Sequence, residues 1–189
     1  MSIIPKIKIG LFNSYLIILF YLFLTMIISY FSDKDGFKRG ADESWLEDKD
    51  KFKMHLSGYI FYGILLVSIF IPIKTGTNLF NVGIFIYIIS LILSIYTGIS
   101  FVTAPKDRLI TKGIYKYSRN PVYFCNILVI LSTAFISGTA IYLIFLAIYL
   151  LTSYFTIRVE EKYLLQRYSS EYREYLTKTP RYIIKTIIK

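Results

Sequence analysis

Long blocks of apolar residues alternate along the chain with short segments that carry nearly all of its charge. Blocks without Asp, Glu, Lys or Arg cover residues 9–31, 55–73, 79–102 and 122–157. At about 1.5 Å per helical residue, each of the first three can cross a hydrocarbon core of about 30 Å. A soluble domain would spread its apolar residues periodically instead, so this pattern predicts an integral membrane protein.

The last block is too long for one crossing. As a single helix, residues 122–157 would measure roughly 54 Å, so a break is expected at Ser137-Gly138-Thr139. We therefore predict an all-α fold, a single membrane domain over residues 1–189 with about five transmembrane helices and a C-terminal amphipathic helix segment. The predicted spans are residues 9–31, 55–73, 79–102, 121–136 and 140–157.

The basic residues predict the orientation. Five spans place residues 1–8, 74–78 and 137–139 on one side, with only Lys6, Lys8 and Lys74 among them. The other nineteen Lys and Arg lie in the connector 32–54, the loop 103–121 and the C-terminal segment 158–189. The positive-inside rule then predicts an N-terminus outside and a cytoplasmic C-terminus. The connector is expected to be solvated, with a short surface helix.

The charge and the cysteine and metal-ligand content of the chain indicate which partners it can bind. A net charge of +10 can indicate nucleic acid, but in a chain of apolar blocks it is more typical of cytoplasmic loops facing anionic lipid headgroups. We therefore expect membrane lipids as partners and no nucleic acid. The single cysteine, Cys125, allows no disulfide within the chain. No cluster of metal ligands is evident, and no metal is expected.

Three short motifs could carry chemistry. In the first, Gly113-x-Tyr115-x-x-x-Arg119-Asn120-Pro121-x-Tyr123, the Asn-Pro pair is typical of a helix start, with Asn as the cap. A helix N-terminus beside Arg119 could also bind an anion. The second motif is Arg158-x-Glu160-Glu161, directly after the last block. Its carboxylates would oppose the helix dipole if a helix ended there, but not if the helix continued through them.

The third motif is Tyr172-x-x-Tyr175 followed by Pro180-Arg181. Taken together, and in this order, the three motifs resemble the isoprenylcysteine carboxyl methyltransferase and phospholipid methyltransferase superfamily over about residues 79–184. The resemblance implies S-adenosylmethionine as methyl donor and a lipophilic acceptor, either a prenylcysteine-type carboxylate or a lipid amine.

The resemblance also implies the site. The cofactor pocket would be lined by Gly113, Tyr115, Arg119, Asn120, Pro121 and Tyr123, and its ammonium end would be held by Glu160 and Glu161. The catalytic positions would be Arg119, Asn120 and Arg158, with the two arginines facing the cofactor carboxylate or the acceptor.

The chain departs from the family pattern at three places. Asn120 stands where the family usually has His, Ile184 replaces a Pro, and Ser169-Ser170 replace the Gly that usually precedes the Tyr-x-x-Tyr segment. Asn can donate and accept hydrogen bonds but cannot be protonated.

Two other functions remain open from the sequence. Membrane sterol reductases resemble the same C-terminal architecture and use NADPH, although this chain has Val122 before Tyr123 where their pattern has Asn. The second alternative is an inactive membrane protein of the same fold, which the Asn120 departure favours slightly.

Overall fold

The computed structural model describes residues 1–2 and 7–182 and forms a bundle of helices. Within these residues there is no β-strand, which confirms the predicted all-α fold. One short 3-10 helix, Gly113–Lys116, lies between the fourth and fifth α-helices. The α-helices are α1 Tyr15–Ser32, α2 Lys34–Gly40, α3 Asp48–Ser68, α4 Asn78–Val102, α5 Pro121–Ser137 and α6 Ile141–Lys178.

Three of the described helices, α1, α4 and α6, are long and apolar enough to cross a membrane. α5 is a shorter apolar helix of 17 residues, and α3 begins with the charged stretch Asp48–Lys53. The outward faces carry many exposed large hydrophobic side chains, as expected for surfaces that contact lipid. The protein is therefore a membrane helix bundle, and the crossing by all five predicted spans stays a prediction.

The first helix begins later than the sequence predicted, at Tyr15 rather than near Ile9. Residues before it fold against the end of α3, where the last carbonyls of the helix need donors. The side-chain amide of Asn13 donates to the carbonyl of Ile69 at 2.6 Å, and the hydroxyl of Ser14 donates to that of Ile71 at 2.9 Å. Asn13 and Ser14 thus satisfy buried carbonyls instead of extending α1.

The three loops that the sequence assigned to one side meet at one end of the bundle. The amide of Ser2 donates to the carbonyl of Gly138 at 3.0 Å, and the amide of Lys74 donates to the carbonyl of Ile136 at 3.0 Å. The break between α5 and α6 falls at Gly138, whose φ of 65° is the left-handed conformation that glycine adopts without steric cost. It lies inside the Ser137–Thr139 segment singled out by the sequence.

The connector 32–54 lies at the opposite end, where it packs against α4 and α6. It contains a short helix, α2, as expected, but it is docked rather than merely solvated. A Cβ on Gly36 would lie 1.9 Å from the carbonyl oxygen of Val102, so only glycine permits this approach. The guanidinium of Arg39 donates to the carbonyls of Phe101 and Ala104, at the C-terminal end of α4.

A buried polar chain joins α1, α5 and α6. The hydroxyl of Tyr21 donates to the side-chain oxygen of Asn126 at 2.8 Å, and the amide of Asn126 donates to the hydroxyl of Tyr149 at 2.9 Å. Polar side chains inside an apolar bundle must find such partners, and the pairing fixes how α5 faces α6. Tyr123 lies about one turn before Asn126 and consequently faces α6 as well.

The last helix continues far beyond the apolar block that ends at Ile157. α6 runs without interruption through Glu160 and Glu161, so the carboxylates do not oppose a helix end. The C-terminal segment therefore continues directly from α6, and a kink divides it into two helical stretches. It bends at Ser169, whose φ of 41° and ψ of −106° are not helical.

The bend at Ser169 falls at one of the departures from the family pattern, in a conformation that would suit glycine better than serine. A positive φ is strained for serine and unstrained for glycine, the residue that the related pattern has nearby. Ser169→Gly is expected to raise the unfolding temperature in detergent, by the equivalent of about 1 kcal/mol. The matched control is Ser170→Gly at the next helical position, which should lower stability by roughly 0.5–1 kcal/mol. A loss of stability in Ser169→Gly as large as that in Ser170→Gly would contradict strain at Ser169.

Candidate active site

The first wall of the site is the segment that leads into α5. Gly113 opens the 3-10 helix with a φ of 62°, and a Cβ there would lie 2.6 Å from the hydroxyl oxygen of Ser100 on α4. The glycine therefore lets the loop pass close to the end of α4. Pro121 is the first residue of α5, where its fixed φ and missing N–H cause no loss.

The second wall is the stretch of α6 that carries the adjacent carboxylates. Glu160 is half-buried and accepts a hydrogen bond of 2.8 Å from the hydroxyl of Tyr123 on α5. Burial raises the pKa of Glu160 to about 7, the hydrogen bond from Tyr123 partly offsets that rise, and the neighbouring charge of Glu161 adds to it. No cation pairs with Glu160 among the residues that the structure describes.

Glu161 has different partners, although it is the next residue. Both of its oxygens accept from the guanidinium of Arg181, at 3.2 Å and 2.6 Å, which is a bidentate arrangement. One terminal nitrogen of Arg119 lies 3.4 Å from the same carboxylate. Glu161 is buried to 9% exposure, so this cluster of one carboxylate between two guanidiniums is largely removed from water.

Arg119 connects all parts of the site. Its backbone amide donates to the carbonyl of Pro180 at 3.0 Å, and one terminal nitrogen lies 3.4 Å from the carbonyl of Leu176. Its Nε is buried and has no hydrogen-bond partner among the described residues. A buried donor without a partner is costly, so it indicates a place where a ligand oxygen can bind.

Asn120 is buried and makes no side-chain cap for α5, contrary to the cap expected from the Asn-Pro pair. Its amide nitrogen instead lies 3.4 Å from the carbonyl of Arg181, which also accepts from the hydroxyl of Ser118 at 3.1 Å. The side chain is directed to the C-terminal segment because that carbonyl needs donors within a buried site. Asn120 therefore lies beside the backbone of Arg181, whose side chain pairs with Glu161.

Arg158 lies apart from the other expected site residues. Its side chain is exposed and its guanidinium stands 5.9 Å from the ring centroid of Tyr154. It makes no ion pair within the described ranges 1–2 and 7–182. The guanidinium of Arg181 lies 5.4 Å from the same ring, on the side of the buried cluster. Arg181, rather than Arg158, is the arginine that pairs with Glu161.

Two contacts of the C-terminal segment could not be read from the sequence. Arg181 pairs with a residue twenty positions earlier, and the hydroxyl of Tyr175 donates to the backbone carbonyl of Tyr115 at 2.5 Å. Both residues belonged to the motifs that carried the resemblance, which was the only available signal. Burial also raises the pKa of Tyr115, whose side chain points into the protein.

The described helices form an apolar bundle in which Glu160, Glu161, Arg119 and Arg181 lie near the ends of the apolar stretches. A family model described as phospholipid methyltransferase matches residues 71–171, more than half of the chain. The chain belongs to this family. The match includes Gly113 to Tyr123 and both carboxylates, and it ends before Pro180-Arg181. No curated protein matches the chain.

The residues present fit the zwitterionic end of S-adenosylmethionine. The carboxylate of the cofactor requires a hydrogen-bond donor, and its ammonium requires an acceptor. The site offers the Nε of Arg119, which has no partner among the described residues, as the donor and the carboxylate of Glu160 as the acceptor. The described residues contain no group of metal ligands.

Proposed function

We propose that the protein transfers a methyl group from S-adenosylmethionine to a lipophilic acceptor. Two observations carry the proposal in this member of the phospholipid methyltransferase family: the pairing of Tyr123 with Glu160, and the Nε of Arg119, which has no partner among the described residues. The cofactor would be held between the segment Gly113–Tyr123 and the part of α6 that carries Glu160 and Glu161. Tyr115, Asn120 and Pro121 would be further pocket residues. The cofactor supplies an electrophilic methyl group on a sulfonium, which becomes a neutral thioether when the acceptor takes the methyl.

The residues of the chain provide orientation and charge rather than covalent chemistry. Glu160 offers a negative charge to a cation, and Tyr123 holds that carboxylate in place with its hydroxyl. Arg119 offers a donor to an oxygen, while the C-terminal segment from Leu176 to Arg181 covers this part of the site. Alignment of two bound reactants can contribute up to about 7–11 kcal/mol toward the reaction barrier.

The position of the site supports a lipophilic acceptor. Arg119 and Tyr123 lie at the start of α5, and Glu160 lies three residues beyond the apolar stretch of α6 that ends at Ile157. At that depth a lipid acceptor can approach sideways between helices while the cofactor approaches from water. A carboxylate acceptor is already ionised at neutral pH and needs no base, whereas an amine must lose a proton before it attacks. Both acceptor classes belong to the proposal.

We further propose that the site faces the cytoplasm. The support is the charge asymmetry of the two ends, three Lys and Arg against nineteen, together with the gathering of each set of loops at its own end. Single cysteines introduced at Ser2 and Lys189 are expected to react with a membrane-impermeant maleimide on opposite sides, Ser2 outside and Lys189 inside. Reaction of both positions from the same side would contradict the five-span topology. Cys125 is buried and serves as the unreactive background.

Binding of radiolabelled cofactors to the purified protein tests the proposed function. We expect saturable binding of S-adenosylmethionine and none of NADPH. Binding of NADPH alone would favour the reductase alternative, and binding of neither cofactor would favour an inactive protein of this fold. S-adenosylhomocysteine should compete for the site because it keeps the same zwitterionic end.

A further inference from the structure

Resting on the proposed function, we propose that the adjacent carboxylates have different tasks. Glu160 alone binds the ammonium end of the methyl donor. Glu161 is a positioning residue, which binds Arg119 and Arg181 and thereby fixes the C-terminal segment over the site. The sequence treats the two glutamates as equivalent, and their partners in the structure separate them.

The contacts of Glu161 leave it little capacity for a ligand. A carboxylate has two oxygens, and each already accepts from Arg181, while Arg119 adds a third contact. A ligand ammonium would have to displace a bidentate, largely buried guanidinium, which is among the stronger pairings available in proteins. Removing one partner would leave a buried charge unpaired, and that is strongly unfavourable.

The same pairing belongs to a larger junction between the C-terminal segment and the start of α5. Two backbone carbonyls of the segment accept from the α5 side: that of Pro180 from the amide of Arg119, and that of Arg181 from the hydroxyl of Ser118. The hydroxyl of Tyr175 donates back to the carbonyl of Tyr115. Glu161 is the charged centre of this junction, so its loss should free the segment and leave Arg119 without its fixed position.

Glu160 has the opposite character. Its one protein partner among the described residues is the Tyr123 hydroxyl, and it has no arginine or lysine within ion-pairing distance there. A half-buried carboxylate without a counter-ion is penalised by desolvation, as its raised pKa of about 7 reflects. A ligand cation would remove that penalty, which is what makes this carboxylate the better ammonium site.

Hydrogen exchange of the ligand-free protein separates the two roles without relying on activity. In Glu161→Gln we expect the amides of residues 176–179, 181 and 182 and the amide of Arg119 to exchange at least about tenfold faster than in wild type. In Glu160→Gln they should exchange at the wild-type rate. Arg181→Lys keeps the charge but loses the bidentate geometry, and it should give an intermediate increase. The matched controls are Glu171→Gln and Arg173→Lys, exposed positions of the same helix, which should leave exchange unchanged.

Affinity for S-adenosylmethionine gives the second readout. Because burial raises the pKa of Glu160 to about 7, wild-type affinity should fall as Glu160 is protonated at lower pH. Glu161→Gln is expected to weaken binding but to keep this fall in affinity, whereas Glu160→Gln should abolish it. Unchanged exchange over residues 176–182 in both Glu161→Gln and Arg181→Lys would overturn the positioning role, even if the wild-type protein binds the cofactor. Faster exchange in these variants with no cofactor binding by wild type would support the positioning role of Glu161 and contradict the proposed function.

Discussion

Glu160→Gln is expected to weaken the binding of S-adenosylmethionine about 10- to 150-fold. The substitution keeps the size of the side chain and its hydrogen bond with Tyr123 but removes the charge that would pair with the cofactor ammonium. A hydrogen bond to a charged group contributes about 1.5–3 kcal/mol, which corresponds to the stated change in affinity. Isothermal titration calorimetry on the purified protein in detergent measures it directly.

The matched control for this substitution is Glu171→Gln, which removes the same charge from an exposed position of α6 outside the site. Its affinity for the cofactor should equal that of wild type. If Glu160→Gln also bound with wild-type affinity, the carboxylate would be a solvated charge at the end of the apolar part of α6. The cofactor would then have to be held by other residues.

Cofactor affinity is expected to rise with pH between about 5 and 7 and to level off above that range. The pKa of Glu160 is raised to about 7 in the ligand-free protein, so below pH 7 its carboxyl is mostly protonated and binding a cation must expel that proton. Affinity should therefore fall by up to about tenfold per pH unit on acidification. The wild-type affinity should stop falling once it equals that of Glu160→Gln, because a protonated Glu160 no longer contributes a negative charge.

The groups around Glu160 support this assignment of the pH dependence. Tyr123 faces it from α5, and a phenol, with an ordinary pKa of about 10, stays protonated over this range. Glu161 follows it on α6 and is held by Arg119 and Arg181, which remain charged. Affinity of Glu160→Gln should consequently be flat from pH 5 to 7.5. A dependence that persisted unchanged in this variant would assign the titration to another group.

Two of the predicted helices have the expected limits, whereas the span predicted over residues 55–73 is a helix from Asp48 to Ser68. α4 and α5 begin and end within about a residue of the predicted spans, because the apolar block, the Asn-Pro start and the Ser137-Gly138-Thr139 break are visible in the sequence. The start of α1 was not predictable in this way. Asn13 and Ser14 bond to carbonyls at the far end of α3, more than fifty residues later, and nothing local separates them from the apolar residues around them.

The sequence singled out residues that lie close together in the structure, but it did not predict how they pair. The resemblance drew attention to Arg119, Glu160 and Glu161, and the structure brings these three together with Tyr123. It did not predict that Glu161 forms an ion pair with Arg181, because that pairing depends on how the C-terminal segment folds back across the start of α5. The resemblance also assigned a role to Arg158, whose side chain lies outside the paired cluster, and that role stays a prediction.

Transfer of label from methyl-labelled S-adenosylmethionine to a membrane-lipid extract tests the central claim most directly. The purified wild-type protein is supplied with a crude lipid extract in one reaction and with a water-soluble extract in the other, and Glu160→Gln is run alongside under subsaturating cofactor. We predict label in the organic phase of the first reaction, at least tenfold less in the variant, and none above background in the second. Label found only in water-soluble products would contradict a lipophilic acceptor, and label in neither phase would contradict methyl transfer by this protein.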